Sequence, residues 1–121
     1  MKALHTKTLQ TFVERFSNFK DAEIRSCSPL DPQTISITLA VQDSARAFDW
    51  ITITLVFSEV SDARLLDENR LGIIDMRDGA SLLYDEDLFA FGLGECYNIK
   101  NTKSASCYII ANAVKYEEGL F

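Results

Sequence analysis

The run Phe48-Asp49-Trp50-Ile51-Thr52-Ile53-Thr54-Leu55-Val56-Phe57 most constrains what this chain can fold into. Successive side chains of an extended chain point to opposite faces. Ile51, Ile53, Leu55 and Phe57 therefore share one side, and Trp50, Thr52, Thr54 and Val56 share the other. The run is rich in β-branched and aromatic residues, with no Gly or Pro inside it. Its second face is only half polar. This predicts a central strand, covered on one side and partly covered on the other.

Thr34 to Gln42 alternates as cleanly, with Ile35, Ile37, Leu39 and Val41 on one face and Thr34, Ser36, Thr38 and Gln42 on the other. The short link Gln42 to Arg46 makes a hairpin between the two runs the economical pairing. Upstream, Leu9, Phe12, Val13 and Phe16 stand at i, i+3, i+4 and i+7, one apolar stripe of a helix over about residues 3–17. With no second helix of similar quality to meet, that stripe is expected to pack on a sheet. Ala22 to Cys27 reads as a short strand. The segment Ser28-Pro29-Leu30-Asp31-Pro32 reads as a turn or edge crossing, because each proline fixes φ and removes a donor.

Beyond Glu59 the apolar pieces shorten. Ala63 to Leu66, Leu71 to Met76, Ala80 to Tyr84 and Phe89 to Leu93 are expected as a meander of short strands with acids at its turns. Residues 65–71 could hold one helical turn instead, but strand and turn is preferred. Asp78-Gly79 is the strongest local hairpin signal, since Gly takes positive φ without steric cost. Asn98 to Ser104 reads as a loop. Ser106 to Tyr116, apolar on both faces, reads as an interior strand beside the organising one. The expectation is an α+β fold: an N-terminal helix on a curved, mainly antiparallel sheet of about six to nine short strands. No repeat, linker or low-complexity tract divides the 121 residues, so one domain, 1–121, is expected.

A chain 47% hydrophobic and 25% charged has the composition of an ordinary soluble protein. No apolar run approaches the roughly 20 residues of a membrane span, and no signal-peptide core follows Met1. Cytoplasm is the expected address. Cys27, Cys96 and Cys107 agree: an odd number without Cys-x-x-Cys spacing points to reduced, buried thiols.

The net charge of −6 is uneven. Glu59 to Glu95 holds ten acids and three bases, net −7, whereas the other residues hold eight acids and nine bases, net +1. Such a field repels nucleic acid and anionic membranes and favours a cationic partner, though acidic hairpin turns also serve solubility.

Catalytic and metal motifs are weak. His5 is the only histidine, and nothing local orients it as a base. The cysteines lack the paired spacing of a zinc site. Neither Asp67-Glu68-Asn69 nor Asp85-Glu86-Asp87 supplies the remaining ligands of a calcium loop. Gly92-Leu93-Gly94 opens like a dinucleotide fingerprint, but Tyr97 stands at the third glycine position. Those glycines read better as letting Phe89-Ala90-Phe91 bend past another backbone. Tyr84, Phe89, Phe91 and Tyr97 read as core first and pocket rim second. No cofactor, metal or catalytic residue is expected.

The Asp49-Trp50-Ile51 strand entry, the run Ile74-Asp75-Met76-Arg77-Asp78-Gly79, the length and the acidity resemble the small acidic immunity proteins of bacterial toxin systems, including contact-dependent growth inhibition. The resemblance covers roughly residues 48–99. It implies a stoichiometric partner for a toxin domain, often a basic nuclease whose cleft an acidic face covers. On that reading the contacts come from Asp67, Glu68, Asp78, Asp85, Glu86 and Asp87, with Tyr84 as aromatic anchor. The rival expectation is a small-ligand-binding or enzymatic α+β domain with a pocket between helix and sheet, marked by a buried unpaired carboxylate. A homo-oligomer built on strand edges is a third.

Overall fold

In a computed structural model, which describes residues 1–121 except for the side chain of Glu68, the two alternating runs form the middle of one antiparallel sheet. The strands are β1 (Lys2–Ala3), β2 (Glu23–Asp31), β3 (Thr34–Asp43), β4 (Asp49–Arg64), β5 (Ala80–Asp85), β6 (Leu88–Leu93) and β7 (Tyr108–Leu120). Their order is β2-β3-β4-β7-β6-β5, and β1 pairs with β7 beyond the end of β6. Two three-strand meanders are thus joined along β4 and β7. The fold is α+β, as the alternation and the helical stripe predict.

The buried face is the predicted one. Ile51, Ile53, Leu55 and Phe57 of β4 are buried beside Ile35, Ile37, Leu39 and Val41 of β3. On the reverse face Thr52, Thr54 and Val56 are half-buried, and Trp50 is exposed. There Trp50 meets Phe121 at 5.7 Å between ring centroids, and Thr38 and Thr54 share a hydroxyl hydrogen bond of 3.0 Å. A short helix, α2 (Ile99–Thr102), covers one end of that face, where Ile99 packs with Ala90, Tyr108 and Ile110. Asn98 to Ser104 is therefore not a plain loop. Asn98 caps the helix by accepting the Asn101 amide at 2.7 Å.

Four boundaries differ from expectation. Helix α1 (Leu9–Arg15) is shorter than residues 3–17, because the first residues pair with β7 and the chain reverses hand after Phe16. Ser17, Asn18 and Phe19 all have φ near +55°, a left-handed turn with Phe19 fully buried. Strand β2 runs through Pro29 to Asp31, and the turn is Pro32-Gln33; Pro29 is tolerated because β2 is an edge strand. Strand β4 does not stop near Glu59. It corners there, with φ +54° at Glu59 and a register shift between Val60 and Asp62, then continues to Arg64.

The fourth correction concerns residues 68–79. Glu68–Ile73 is a 3₁₀ turn rather than part of a strand, and Ile74 to Gly79 is not a hairpin. Gly79 does use positive φ, at +70°, but for close approach: a Cβ there would lie 2.1 Å from the Asn18 carbonyl oxygen. Asp21 N–H donates to Met76 O alongside, at 2.7 Å. The glycine clamps the left-handed turn against the start of β5.

Candidate functional site

The β5–β6 hairpin gathers the largest share of the predicted contact residues. Asp85 pairs with Leu88, so Glu86-Asp87 is a two-residue turn, with φ of +52° and +63°. Tight antiparallel turns favour this left-handed geometry because it matches strand twist, and Asn-Gly is the pair that suits it. Two acidic residues occupy it here, each held where a Cβ crowds the backbone. Tyr84, at the strand end, is 42% exposed and packs edge-on against Phe89 at 5.0 Å.

Asp85 differs from its neighbours. It is half-buried, and its carboxylate accepts the Ile99 N–H at 3.1 Å, tying the hairpin to α2. On that flank lies a shallow cleft lined by Asp85, Glu86, Asn98, Ile99, Lys100 and Lys103, with Lys103 Nζ 3.5 Å from Asp62. The α2 flank of the tip is therefore mixed in charge. The opposite flank, toward α1, carries Glu14 as the charged residue of its groove.

The other predicted acids lie elsewhere. Asp67 accepts the Asn69 N–H at 3.2 Å and caps a 3₁₀ turn packed against β2, the far edge of the sheet from β5. The Glu68 side chain lies outside the described residues. Asp78 is exposed at the start of β5, separated from Glu86 by the strand's length, roughly 20 Å at ~3.4 Å per residue. The acidic turns do not make one patch; Tyr84 to Asp87 is the part that holds together.

A larger cleft, of about 1010 Å³, opens between α1 and the β1–β7 end of the sheet. Leu4, Phe12 and Tyr116 contribute its apolar walls, and His5, Thr8 and Arg15 part of its rim. Arg15 is committed to other groups: Nε and Nη2 donate to Asp43 at 2.8 and 2.6 Å, and Nη2 also reaches Glu118. Asp43 is fully buried, accepts the Ala45 N–H at 2.9 Å, and has Arg46 Nε at 3.4 Å. The Arg15 hydrogen bonds hold the Asp43 carboxyl below its ordinary range, burial opposing them, and the same bonds raise the Arg15 pKa. This is the buried carboxylate that would mark an enzyme, but it is paired. Sequence reasoning missed the cluster, because Arg15 lies 28 residues from Asp43 and 103 from Glu118.

His5 is exposed on a turn. Phe89 and Phe91 are core, whereas Tyr97 is 75% exposed and donates to Glu95. Gly92 does pass another chain segment closely: a Cβ would stand 2.8 Å from Cys96 Sγ. All three cysteines are free, Cys27 and Cys107 buried, Cys96 half-buried. The hydrogen bond with Cys27, then burial, pushes the Cys107 thiol well up. Among the described residues no group of three or more His, Cys, Asp or Glu could hold a metal ion. Among the described residues no buried side-chain polar atom lacks a partner, and no helix is long and apolar enough to cross a membrane. Searches of family models, curated proteins and solved structures returned no match to this chain.

Proposed function

We propose that this chain is a non-catalytic binding protein that meets a cationic protein partner through the tip of the β5–β6 hairpin. A toxin domain neutralised in the cytoplasm is the partner that the resemblance to immunity proteins suggests. The observation that carries the reading is the Glu86-Asp87 turn. Two left-handed positions that Asn-Gly would fill with less strain hold carboxylates instead, beside the half-exposed Tyr84. Local rules of stability are broken where display of charge gains something else. The paired state of Asp43 supports a non-catalytic role, since its carboxylate is spent on internal hydrogen bonds.

The test uses Glu86→Lys/Asp87→Lys. Asp85 is left intact because its carboxylate holds the Ile99 amide. Partner captured from the protein's own cells with the wild type is assayed for association rate at low and physiological salt. The wild-type rate should fall with salt, and the double variant should associate slowly and with little salt dependence. Equal rates for the two proteins at both salts would reduce the tip to a solubility device. A second reading, a small-ligand site, has the 1010 Å³ cleft in its favour. A ligand that perturbs Leu4, Phe12 and Tyr116 in NMR spectra would promote it.

A further inference from the structure

The two edges of the sheet are treated differently. Strand β2 carries Pro29, register shifts between Ile24 and Ser26 and between Pro29 and Asp31, and a 3₁₀ turn packed against it. These are the devices that stop an edge strand from pairing with another chain. Strand β5 lacks the proline and the register shifts, and the Ser17–Phe19 turn that packs on it does so at its Gly79 end. Its register with β6 is unbroken from Ala80 to Asp85, and the sequence Ala-Ser-Leu-Leu-Tyr-Asp contains no Pro, Lys or Arg.

Antiparallel pairing alternates the direction of the backbone groups. The Asp85–Leu88 pair closes a two-residue hairpin, so the odd residues of β5 exchange hydrogen bonds with β6. Leu82 and Tyr84 then aim their N–H and C=O groups away from the sheet. Neither has another backbone or side-chain hydrogen-bond partner among the described residues. They face an open groove of about 510 Å³ between β5 and α1, whose helix side is formed by Leu9, Gln10, Val13 and Glu14. Among the described residues no basic side chain lines it. Glu14 lies on its helix side and the Glu86-Asp87 turn follows the strand at one end.

We propose that the free edge of β5 takes up an extended segment of the cationic partner as an added strand, seated between β5 and α1. This rests on the reading above for the charge of the partner. The main-chain groups of Leu82 and Tyr84 supply four hydrogen-bonding sites. Alternate side chains of the added strand point toward Leu9 and Val13, and Lys or Arg at its other positions meets Glu14 and the acidic turn.

A random nine-residue peptide library is selected on the wild-type protein with excess Tyr84→Pro protein as competitor. Proline at this outward position removes only the N–H aimed into the groove, and unchanged β6–β7 amide resonances report that the variant is folded. Enriched peptides should be rich in Lys or Arg and should bind Tyr84→Ala, which lacks the ring but keeps the N–H, more tightly than they bind Tyr84→Pro. Binding to Tyr84→Pro should be weaker by about tenfold. N-methylation at alternate peptide residues should abolish binding, and the Leu82 and Tyr84 amides should shift. Failure to enrich any peptide, equal binding to Tyr84→Pro, or shifts confined to the Phe12–Tyr116 cleft would each overturn the proposal. So would concentration-dependent dimerisation of the wild type that Tyr84→Pro removes, since the edge would then belong to a second copy. Peptides that pair with Leu82 and Tyr84 but show no basic bias would overturn the cationic partner and the reading it rests on, while leaving the edge in place.

Discussion

Glu86, Asp87 and Gly79 are three left-handed residues with opposite consequences. At the turn, Asp87→Gly should relieve strain, and the tie from the Ile99 N–H to the hairpin stays in place because it is made by Asp85. A gain of about 1 kcal/mol in urea unfolding is expected, the usual left-handed penalty for a residue with a Cβ. At Gly79 the reverse holds. Gly79→Ala puts a methyl group against the Asn18 carbonyl at a positive φ, and a loss on the order of 3 kcal/mol is expected from the same measurement. The glycine signal was legible in the sequence; its use was not. Asp78-Gly79 and Glu86-Asp87 differ as a good and a poor turn pair, and the hairpin formed at the poor one. Local propensity lost to strand pairing at one site and to a close backbone crossing at the other.

Among the elements, β3 and β4 were the most legible, because period-two alternation and a buried face are one constraint. Ile53→Asp should therefore unfold the domain, with a loss of several kcal/mol, on the order of 4, whereas Thr52→Asp on the half-covered face should lose clearly less. Equal urea midpoints would place both faces in the core. The corner at Glu59 had no sequence signal, since neither Gly nor Pro marks it. The junction of α1 with β3, β7 and the Ser44–Arg46 turn was equally hidden, being made by Arg15, Asp43 and Glu118 across large sequence separations. Because the folded-state pKa of Asp43 is depressed, its stabilising contribution is present above the unfolded carboxylate range and is lost as pH falls through the folded value. Stability should thus decline below about pH 4. Asp43→Asn should flatten that decline, and Arg15→Leu should remove on the order of 3 kcal/mol at neutral pH by leaving a buried carboxylate short of partners.

Across the whole molecule, the acidity counted in residues 59–95 is real but distributed over both edges of the sheet, which composition cannot reveal. The thiols were legible as free but not as unequal. A maleimide reagent should label one cysteine of the native protein, Cys96, well before Cys27 and Cys107, which should react only as the protein unfolds. Equal labelling of all three would mean that the Cys27–Cys107 region opens readily. The joining of the two meanders through β4 and β7 also has a temporal side. Ile51 pairs with Leu120 and Arg64 with Tyr108, so the seam closes only after residues 108–120 have been made. On the ribosome, at ~5–20 residues per second, a half-built sheet with one raw margin waits several seconds for its neighbour. Over that interval β4, which is itself the raw margin, depends on whatever shelters nascent chains.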